Sequence, residues 1–164
     1  MNVFRRFLHQ YGADEANAEA FARDFRRLST RWLRPIPNAL ETLDALKARG
    51  ARVFLLSNAQ SCFTNDELKA IGLWNRFDGI VLSSDAGMKK PYRGLFALLL
   101  DRYGIDRVGA VMVGNDAVAD IAGAHAAGLM SRYIHTWQSG ARPDTLPDDC
   151  REIPDLLALT EFRT

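Results

Sequence analysis

The sequence predicts an α/β protein in which parallel strands form a sheet flanked by helices. Short apolar runs alternate with segments of helical periodicity, the connections between them are short, and the apolar runs are continuous. Strands that follow one another in this way pair in parallel through right-handed helical crossovers, and continuous apolar runs are typical of strands buried on both faces. The 164 residues suffice for one ordinary domain with a small appendage.

The first 34 residues predict a helical hairpin. Two apolar stripes at helical spacing carry this prediction, and their members are Val3, Phe4, Phe7, Leu8, Tyr11, Phe21, Phe25, Leu28 and Trp32. The arginines between them are Arg5, Arg6, Arg23, Arg26, Arg27 and Arg31. These arginines could bind an anion, but we interpret them as a solvated helix face. Pro35 and Pro37 then interrupt the periodicity, which predicts a hairpin over residues 1–34 and an α/β core over 35–164.

The core is predicted to contain four main strands, each followed by a helix. In chain order the predicted elements are the helix ALETLDALKA, the strand RVFLLSN, the helix NDELKAIG, the strand GIVLSSD, the helix YRGLFALLLDRYG, the strand VGAVMVGND, the helix DIAGAHAAG, the strand SRYIHTW and the helix PDLLALTEF. Asn38 with Glu41, and Thr64 with Glu67, have the spacing of capping boxes at two of the helix starts. Gly50 stands where the first core helix is expected to end.

Composition narrows the class of protein. A hydrophobic share of 48%, a charged share of 25% and a net charge of +1 are typical of a soluble globular protein, without a strong attraction to nucleic acid or membranes. Cys62 and Cys150 lack the spacing of a zinc site or redox motif, and no apolar run approaches the length of a membrane span. We therefore expect a cytoplasmic protein with reduced thiols.

Polar side chains gather at the ends of the predicted strands. Ser57 and Asn58 end the first strand, Lys90 follows the second, and Asp116 ends the third, with Asp120 one helical turn later. Ligands of parallel α/β sheets lie outside the carboxyl ends of the strands. A hydroxyl, an ammonium group and two carboxylates there suit phosphoryl chemistry with a divalent cation such as Mg²⁺. Each residue alone also has a simpler explanation as a helix cap, a solvated charge or a helix-dipole partner.

Three sequence segments resemble a known family. "LLSN", "KKPYRGLF" and "VGNDAVADIAGAHAAG" resemble the second, third and fourth motifs of the haloacid dehalogenase superfamily, in its subgroup of Mg²⁺-dependent small-molecule phosphatases with a helical cap. The resemblance runs from Pro35 to the C-terminus and implies a Rossmann-like core.

The resemblance implies a role for each matched residue. Ser57 would donate a hydrogen bond to the transferring phosphoryl group with Asn58 beside it, and Lys90 would stabilise the nucleophile and the developing charge. Asp116 and Asp120 would anchor Mg²⁺. Asn115 is an alternative to Asp116 as the first metal ligand, and Lys89 is interpreted as a neighbour without a role.

The first motif of the family is absent from the sequence. That motif is an apolar strand running into Asp-x-Asp, which supplies the nucleophile and the general acid/base. Asp78 precedes its strand, and Asp85 is followed two positions later by Gly87. We therefore expect a family member that begins partway through, with the central first strand missing and the hairpin of residues 1–34 resembling half of a cap.

The missing strand would normally lie between the strand ending at Ser57 and the strand ending at Asp116. Those two strands could pair directly, another chain could fill the gap, or the open edges could favour a homodimer.

Three functional interpretations follow. The first is a Mg²⁺-dependent hydrolase of a small phosphomonoester, incomplete or inactive as this chain alone. The second is a non-catalytic phosphate- and Mg²⁺-binding or regulatory relic that works through a partner chain. The third is a receiver-like signalling domain, which is disfavoured because receivers place their acidic pair first and their lysine late. Sugar phosphates, nucleotides and other phosphomonoesters all remain candidate substrates, and dehalogenation suits the lysine and acid pattern less well.

Overall fold

Within residues 3–161, which the computed structural model describes, five short parallel strands alternate with seven α-helices. In chain order the elements are α1 (Val3–Gln10), α2 (Ala18–Ser29), α3 (Ala39–Ala48), β1 (Phe54–Ser57), α4 (Ser61–Ala70), β2 (Gly79–Leu82), α5 (Ser83–Ala86), α6 (Arg93–Tyr103), β3 (Val111–Gly114), a π-helical turn (Ala117–Ala122), α7 (Gly123–Ala126), β4 (Met130–Ile134) and β5 (Cys150–Ile153). A 3₁₀ helix over Leu156–Thr160 follows β5. Among these residues no helix combines the length and hydropathy needed to cross a bilayer.

The strands form two parallel sheets instead of one. β1 pairs with β2, and β4 lies between β3 and β5. Parallel pairing is confirmed, but a single sheet of four main strands is wrong, because no backbone hydrogen bonds join β1 to β3 within the described residues. β5 was not predicted, because it lacks a continuous apolar run: its central residues, Arg151 and Glu152, are polar and exposed.

The two strands that face this break are less buried than their sequences predict. In β1 only Leu56 is buried, and Val111 at the start of β3 is 41% exposed. The apolar runs led us to expect strands buried on both faces. Helices cover the faces of a parallel sheet, and side chains of neighbouring strands complete that cover at each position. Among the described residues neither β1 nor β3 has a neighbouring strand on the side of the break.

The main core lies where α6 packs against the first sheet and α7. Leu95, Phe96 and Leu100 recur at helical spacing on α6, and all three are buried. A Cβ added at Gly123 would lie 2.8 Å from the ring of Phe96, so this glycine allows α7 to approach α6 closely. The small residues of the segment DIAGAHAAG therefore serve tight packing.

Several predicted element boundaries are wrong. Asn38 has a φ of 64° and its side chain makes no capping hydrogen bond, so the capping box with Glu41 is absent. α4 begins at Ser61, three residues before Thr64, and Thr64 lies inside the helix. Residues 83–85, predicted as strand, belong to α5. The predicted closing helix is 3₁₀, and its last residue, Phe162, lies outside the described residues.

Arg26 connects the N-terminal hairpin to the core. Arg26 of α2 forms an ion pair with Glu67 of α4 at 2.7 Å, and its guanidinium carbon lies 5.3 Å from the ring centre of Phe63. A solvated role is therefore wrong for Arg26, while the other five arginines of that set are exposed as predicted. Ala18 and Ala22 of α2 are also buried. The boundary between residues 1–34 and 35–164 stays a prediction.

Asp78 should make the stability of the protein depend on pH. The backbone N–H of Val53 donates to its carboxylate at 2.7 Å, and Lys47 forms an ion pair with it at 3.0 Å. These contacts, the backbone hydrogen bond first, lower the pKa of Asp78. A carboxyl group whose pKa is lower in the folded state stabilises that state above its unfolded pKa of about 3.9, and this contribution is lost as the pH falls through the folded pKa.

We expect the free energy of unfolding to fall as the pH is lowered from about 5 to about 3, and to fall less steeply in Asp78→Asn. Urea denaturation across this range measures the effect. Asp101→Asn, at an exposed carboxylate on α6, is the matched control and should keep the wild-type slope. Parallel curves for wild type and Asp78→Asn would contradict the prediction.

Candidate active site

The polar residues predicted at strand ends lie at the carboxyl ends of β1 and β3, on both sides of the break between the sheets. Ser57 is the last residue of β1, and Asp116 lies two residues after the end of β3. Lys90 lies in the connection between α5 and α6, and Asp120 lies in the π-helical turn. Hydrogen bonds bring Asn58, Lys90 and Asp120 together directly.

A buried ion pair connects the two sheets. The Lys90 Nζ donates to the Asp120 Oδ1 at 2.6 Å and to the backbone carbonyl of Leu56, in β1, at 2.8 Å. The Asp120 Oδ2 accepts from the backbone N–H groups of Asn115 and Asp116 at 3.1 and 3.0 Å. Both charged side chains are only 8% exposed. One lysine therefore links the backbone of β1 to the turn after β3.

Glycine at the end of β3 makes room for this arrangement. A Cβ at Gly114 would overlap the carboxylate of Asp120, so no larger residue fits while that carboxylate holds its place. Asp120 reaches the position from the π-helical turn, whose first backbone bonds run from the N–H groups of Asp120 and Ile121 to the carbonyl of Asp116. π-helical turns of this kind occur often at functional sites.

Asn58 holds the backbone of Lys90. Its Nδ2 donates to the Lys90 carbonyl at 3.0 Å, and its Oδ1 accepts from the Lys90 N–H at 2.7 Å. The next peptide bond, Lys90–Pro91, is cis. A direct contact between Asn58 and phosphate stays a prediction; in the structure both polar atoms of this side chain position the lysine.

Two oxygen ligands stay open after β3. The Asp116 Oδ1 caps the following turn by accepting from the N–H groups of Val118 and Ala119, while its Oδ2 has no partner within residues 3–161. The Asn115 Nδ2 donates weakly to the hydroxyls of Thr136 and Ser139 at 3.3 and 3.4 Å, which leaves its Oδ1 open. Both residues therefore stay candidates for the first metal ligand.

A small cleft adjoins Asn115. It has a volume of about 200 Å³, and its lining includes Asn115, Thr136, Gln138 and Ile36. Our sequence interpretation missed Thr136 and Ser139, although the rule used for the other strands applies to them. They follow β4 at the same rim of the sheet, and polar residues after that strand were the available signal.

The ends of β1 and β2 carry the remaining hydroxyl groups. Ser57 is half-buried, and its hydroxyl has no hydrogen-bond partner among the described residues, so it can donate to a ligand. Asp85 accepts hydrogen bonds from the hydroxyls of Ser61 and Ser84, and these bonds lower the pKa of its carboxyl group. Asp85 therefore already accepts a hydrogen bond from Ser61, the first residue of α4.

The donor set fits a magnesium site only in part. Residues 3–161 contain no group of three or more His, Cys, Asp or Glu side chains that could hold a metal ion. The charge of Asp120 is offset by Lys90, which leaves the Asp116 Oδ2 as the open carboxylate oxygen. Mg²⁺ commonly keeps several waters and binds one or two carboxylates together with a substrate phosphate. The residues present therefore suit Mg²⁺ that shares its coordination with phosphate or with a further carboxylate.

Comparison with known proteins shows the family to which the chain belongs. Residues 1–134 match the family model described as haloacid dehalogenase-like hydrolase. The chain therefore belongs to the haloacid dehalogenase-like hydrolase family, as its motifs predicted.

Two curated relatives are phosphatases by name. Glyceraldehyde 3-phosphate phosphatase of Methanothermobacter thermautotrophicus is 32% identical over 134 residues, which are 76% of this chain and 59% of that protein. Phosphoserine phosphatase of Thermus thermophilus is 30% identical over 156 residues, which are 92% of this chain and 62% of that protein. The chain thus spans about three-fifths of the length of these relatives.

Solved structures share the fold. The putative hydrolase YfnB from Bacillus subtilis, bound to magnesium, superposes with a TM-score of 0.73 at 26% identity, covering 95% of this chain and 67% of that one. The 2-haloacid dehalogenase from Pseudomonas syringae pv. Tomato gives a TM-score of 0.73 at 27% identity, covering 97% and 67%. The predicted α/β, Rossmann-like fold is therefore confirmed.

Proposed function

We propose that this chain supplies most of an active site for Mg²⁺-dependent hydrolysis of a small phosphomonoester, and that turnover requires a nucleophilic carboxylate from an added strand. The observation that carries the proposal is the buried Lys90–Asp120 pair between β1 and β3. Burying two charges at the carboxyl ends of parallel strands carries a desolvation penalty that can exceed their mutual attraction. A role in stability alone therefore does not explain why the pair is there. The names of the two curated phosphatases support the same reaction class.

Each residue of the site has a separate task in this proposal. The free hydroxyl of Ser57 donates to a phosphoryl oxygen. Lys90 lies between the sheets, where its ammonium group stabilises an incoming nucleophile and the charge that develops during phosphoryl transfer. Asn58 positions Lys90 through its backbone.

Mg²⁺ is the cofactor that we propose, held by Asp116 and supported by Asp120. Bound Mg²⁺ would offset the negative charge of the phosphoryl oxygens. Asp116 has the open oxygen for direct coordination, whereas Asp120 fixes the backbone of the turn that carries Asp116.

The break between β1 and β3 is where we place the added strand. Each of these strands has four residues and an edge without a strand partner in the described part of the chain, and all observed pairs are parallel. A four-residue apolar strand running in the same direction would pair with both edges and cover Val111. Its C-terminal end would then lie beside Lys90. A partner chain, a second copy or a further segment of the protein could supply it.

One observation favours a second candidate, a non-catalytic binding or regulatory relic. Lys90 already neutralises Asp120, and Asp120 also accepts two backbone hydrogen bonds, so the pair is stable without a nucleophile. Ser57 and Asp116 could still bind phosphate and Mg²⁺ without turnover.

The experiment that tests the proposal is hydrolysis of an aryl phosphate with Mg²⁺. It compares this 164-residue chain, an extended protein that carries an N-terminal apolar strand ending in Asp-x-Asp, and a matched protein whose strand ends in Asn-x-Asn. We expect hydrolysis only in the Asp-x-Asp protein.

Two other outcomes would contradict the expected result. Hydrolysis by the 164-residue chain alone that disappears in Lys90→Met would show that the nucleophile is already present. An inactive Asp-x-Asp protein whose β1 and β3 amides gain protection from hydrogen exchange would favour the relic.

A further inference from the structure

The start of α5 holds the loop that follows β1. The backbone carbonyl of Ala59, in the middle of this loop, accepts from the Ser83 hydroxyl at 3.1 Å and from the Ser84 N–H at 3.2 Å. The N–H of Ser61, where α4 begins, donates to the Ser84 hydroxyl at 3.0 Å. Three hydrogen bonds therefore connect the short loop between β1 and α4 to the segment that follows β2.

Asp85 sets the direction of two hydroxyl groups in this contact. Its Oδ1 accepts from the Ser61 hydroxyl and, at 2.9 Å, from the Ser84 hydroxyl. A serine hydroxyl has one proton to donate and two lone pairs. Because Ser84 donates its proton to Asp85, a lone pair is left to accept from the N–H of Ser61. The lowered pKa of Asp85 keeps its carboxyl group ionised and able to accept at neutral pH.

The loop held in this way carries Asn58. On one side of Asn58, Ser57 is paired with Leu82 of β2, and on the other side Ala59 is bound by α5. The Asn58 side chain forms both of its hydrogen bonds with the backbone of Lys90, at 2.7 and 3.0 Å. The position of Lys90 therefore depends on a loop that is fixed at both ends.

We infer that Asp85 is a positioning residue for Lys90, acting through the loop after β1 and through Asn58. The inference rests on the proposed function, in which Lys90 stabilises the charge that develops during phosphoryl transfer. A donor of this kind is effective when hydrogen bonds around it fix its place before the reaction.

A simpler role for Asp85 would be to complete the cap of α4. Gln60, at the cap position, makes no side-chain capping bond, and Ser84 accepts from the first N–H of the helix in its place. Capping alone does not account for the two bonds to the Ala59 carbonyl, which lies outside α4. The two roles differ in what they predict, because a cap affects α4 and a positioning residue also affects Lys90.

Hydrogen exchange of the 164-residue chain, measured for single amides by NMR, tests the contact without turnover. In Asp85→Ala the Lys90 amide should exchange at least about 10-fold faster, because the loop that holds its acceptor opens more often. Amides of α6 should keep their rates. Asp85→Asn should retain protection, since its oxygen can still accept from both hydroxyls. Asp66→Ala, at an exposed carboxylate within α4, is the matched control and should leave the Lys90 amide unchanged.

Hydrolysis of an aryl phosphate by the Asp-x-Asp-extended protein tests the consequence for the reaction. Asp85→Ala should lower kcat at least about 10-fold and change KM less than about twofold, since Lys90 acts on charge that develops in the transition state. When Asn58 is already alanine, adding Asp85→Ala should lower kcat no further, because the two residues act through one series of contacts.

Three results would overturn the inference. These are an unchanged Lys90 exchange rate in folded Asp85→Ala, an unchanged rate in Ser84→Ala, which removes the same contact from its other partner, and effects of Asp85→Ala and Asn58→Ala on kcat that multiply. Circular dichroism shows whether the variants are folded. If the extended protein hydrolyses nothing while the Lys90 amide still exchanges faster in Asp85→Ala, the proposed function fails and the positioning of Lys90 by Asp85 stands.

Discussion

Replacing Lys90 by methionine in the Asp-x-Asp-extended protein should lower kcat for aryl phosphate hydrolysis at least about 100-fold, the usual cost of removing one preorganised donor from a site of developing charge. Lys90 is held at both ends: Asn58 holds its backbone, and Asp120 and the carbonyl of Leu56 hold its ammonium group. Such a donor needs little reorganisation during the reaction.

Lys89→Met is the matched control for this prediction. Lys89 has the same side chain one residue earlier, but it is exposed, and it should leave kcat unchanged. Steady-state kinetics at saturating Mg²⁺, with circular dichroism to confirm folding, make the measurement. If both variants lose activity equally, the effect comes from surface charge and the assigned role of Lys90 is wrong.

Removing either member of the buried pair should also destabilise this chain. Lys90→Met leaves Asp120 without its counter-charge and the Leu56 carbonyl without its donor, while Asp120→Asn leaves the lysine charge unpaired in a site that is 8% exposed. Breaking a buried ion pair on one side costs about 3–5 kcal/mol. We expect each single variant to lose stability on this scale.

The double variant Lys90→Met/Asp120→Asn shows whether the stability losses of the single variants come from the broken ion pair or from two independent effects. It removes both charges, and the asparagine oxygen can still accept from the N–H groups of Asn115 and Asp116. Its loss should be smaller than the sum of the single losses by more than about 1 kcal/mol. Urea denaturation measures all three variants, with Lys89→Met as the control. Additive losses would mean that Lys90 and Asp120 do not stabilise each other.

Local patterns predicted those parts of the structure that depend on near neighbours in the chain. The helical hairpin, the parallel pairing and the gathering of Ser57, Lys90 and Asp120 at one rim follow from periodicity and from the direction of parallel strands. The three motifs were also sufficient to identify the family.

Contacts between distant residues were not predictable in the same way. Asn58 and Lys90 are 32 residues apart, and nothing in the sequence indicates that one amide would bind the backbone of the other. The ion pair of Arg26 with Glu67 likewise joins two segments that are distant in the chain. The left-handed conformation of Asn38 has no signal in the local pattern, which instead favoured a helix cap.

Hydrophobic period and chain direction were enough to predict the α/β class, the approximate positions of four strands and their helices, and the polar residues at the strand ends. Only the tertiary structure decided that the strands divide into two sheets, that β5 joins the second sheet, and that one lysine connects them. Strand pairing and buried ion pairs depend on which neighbours are present in space, and a strand shows its own apolar pattern whether or not its partner is there.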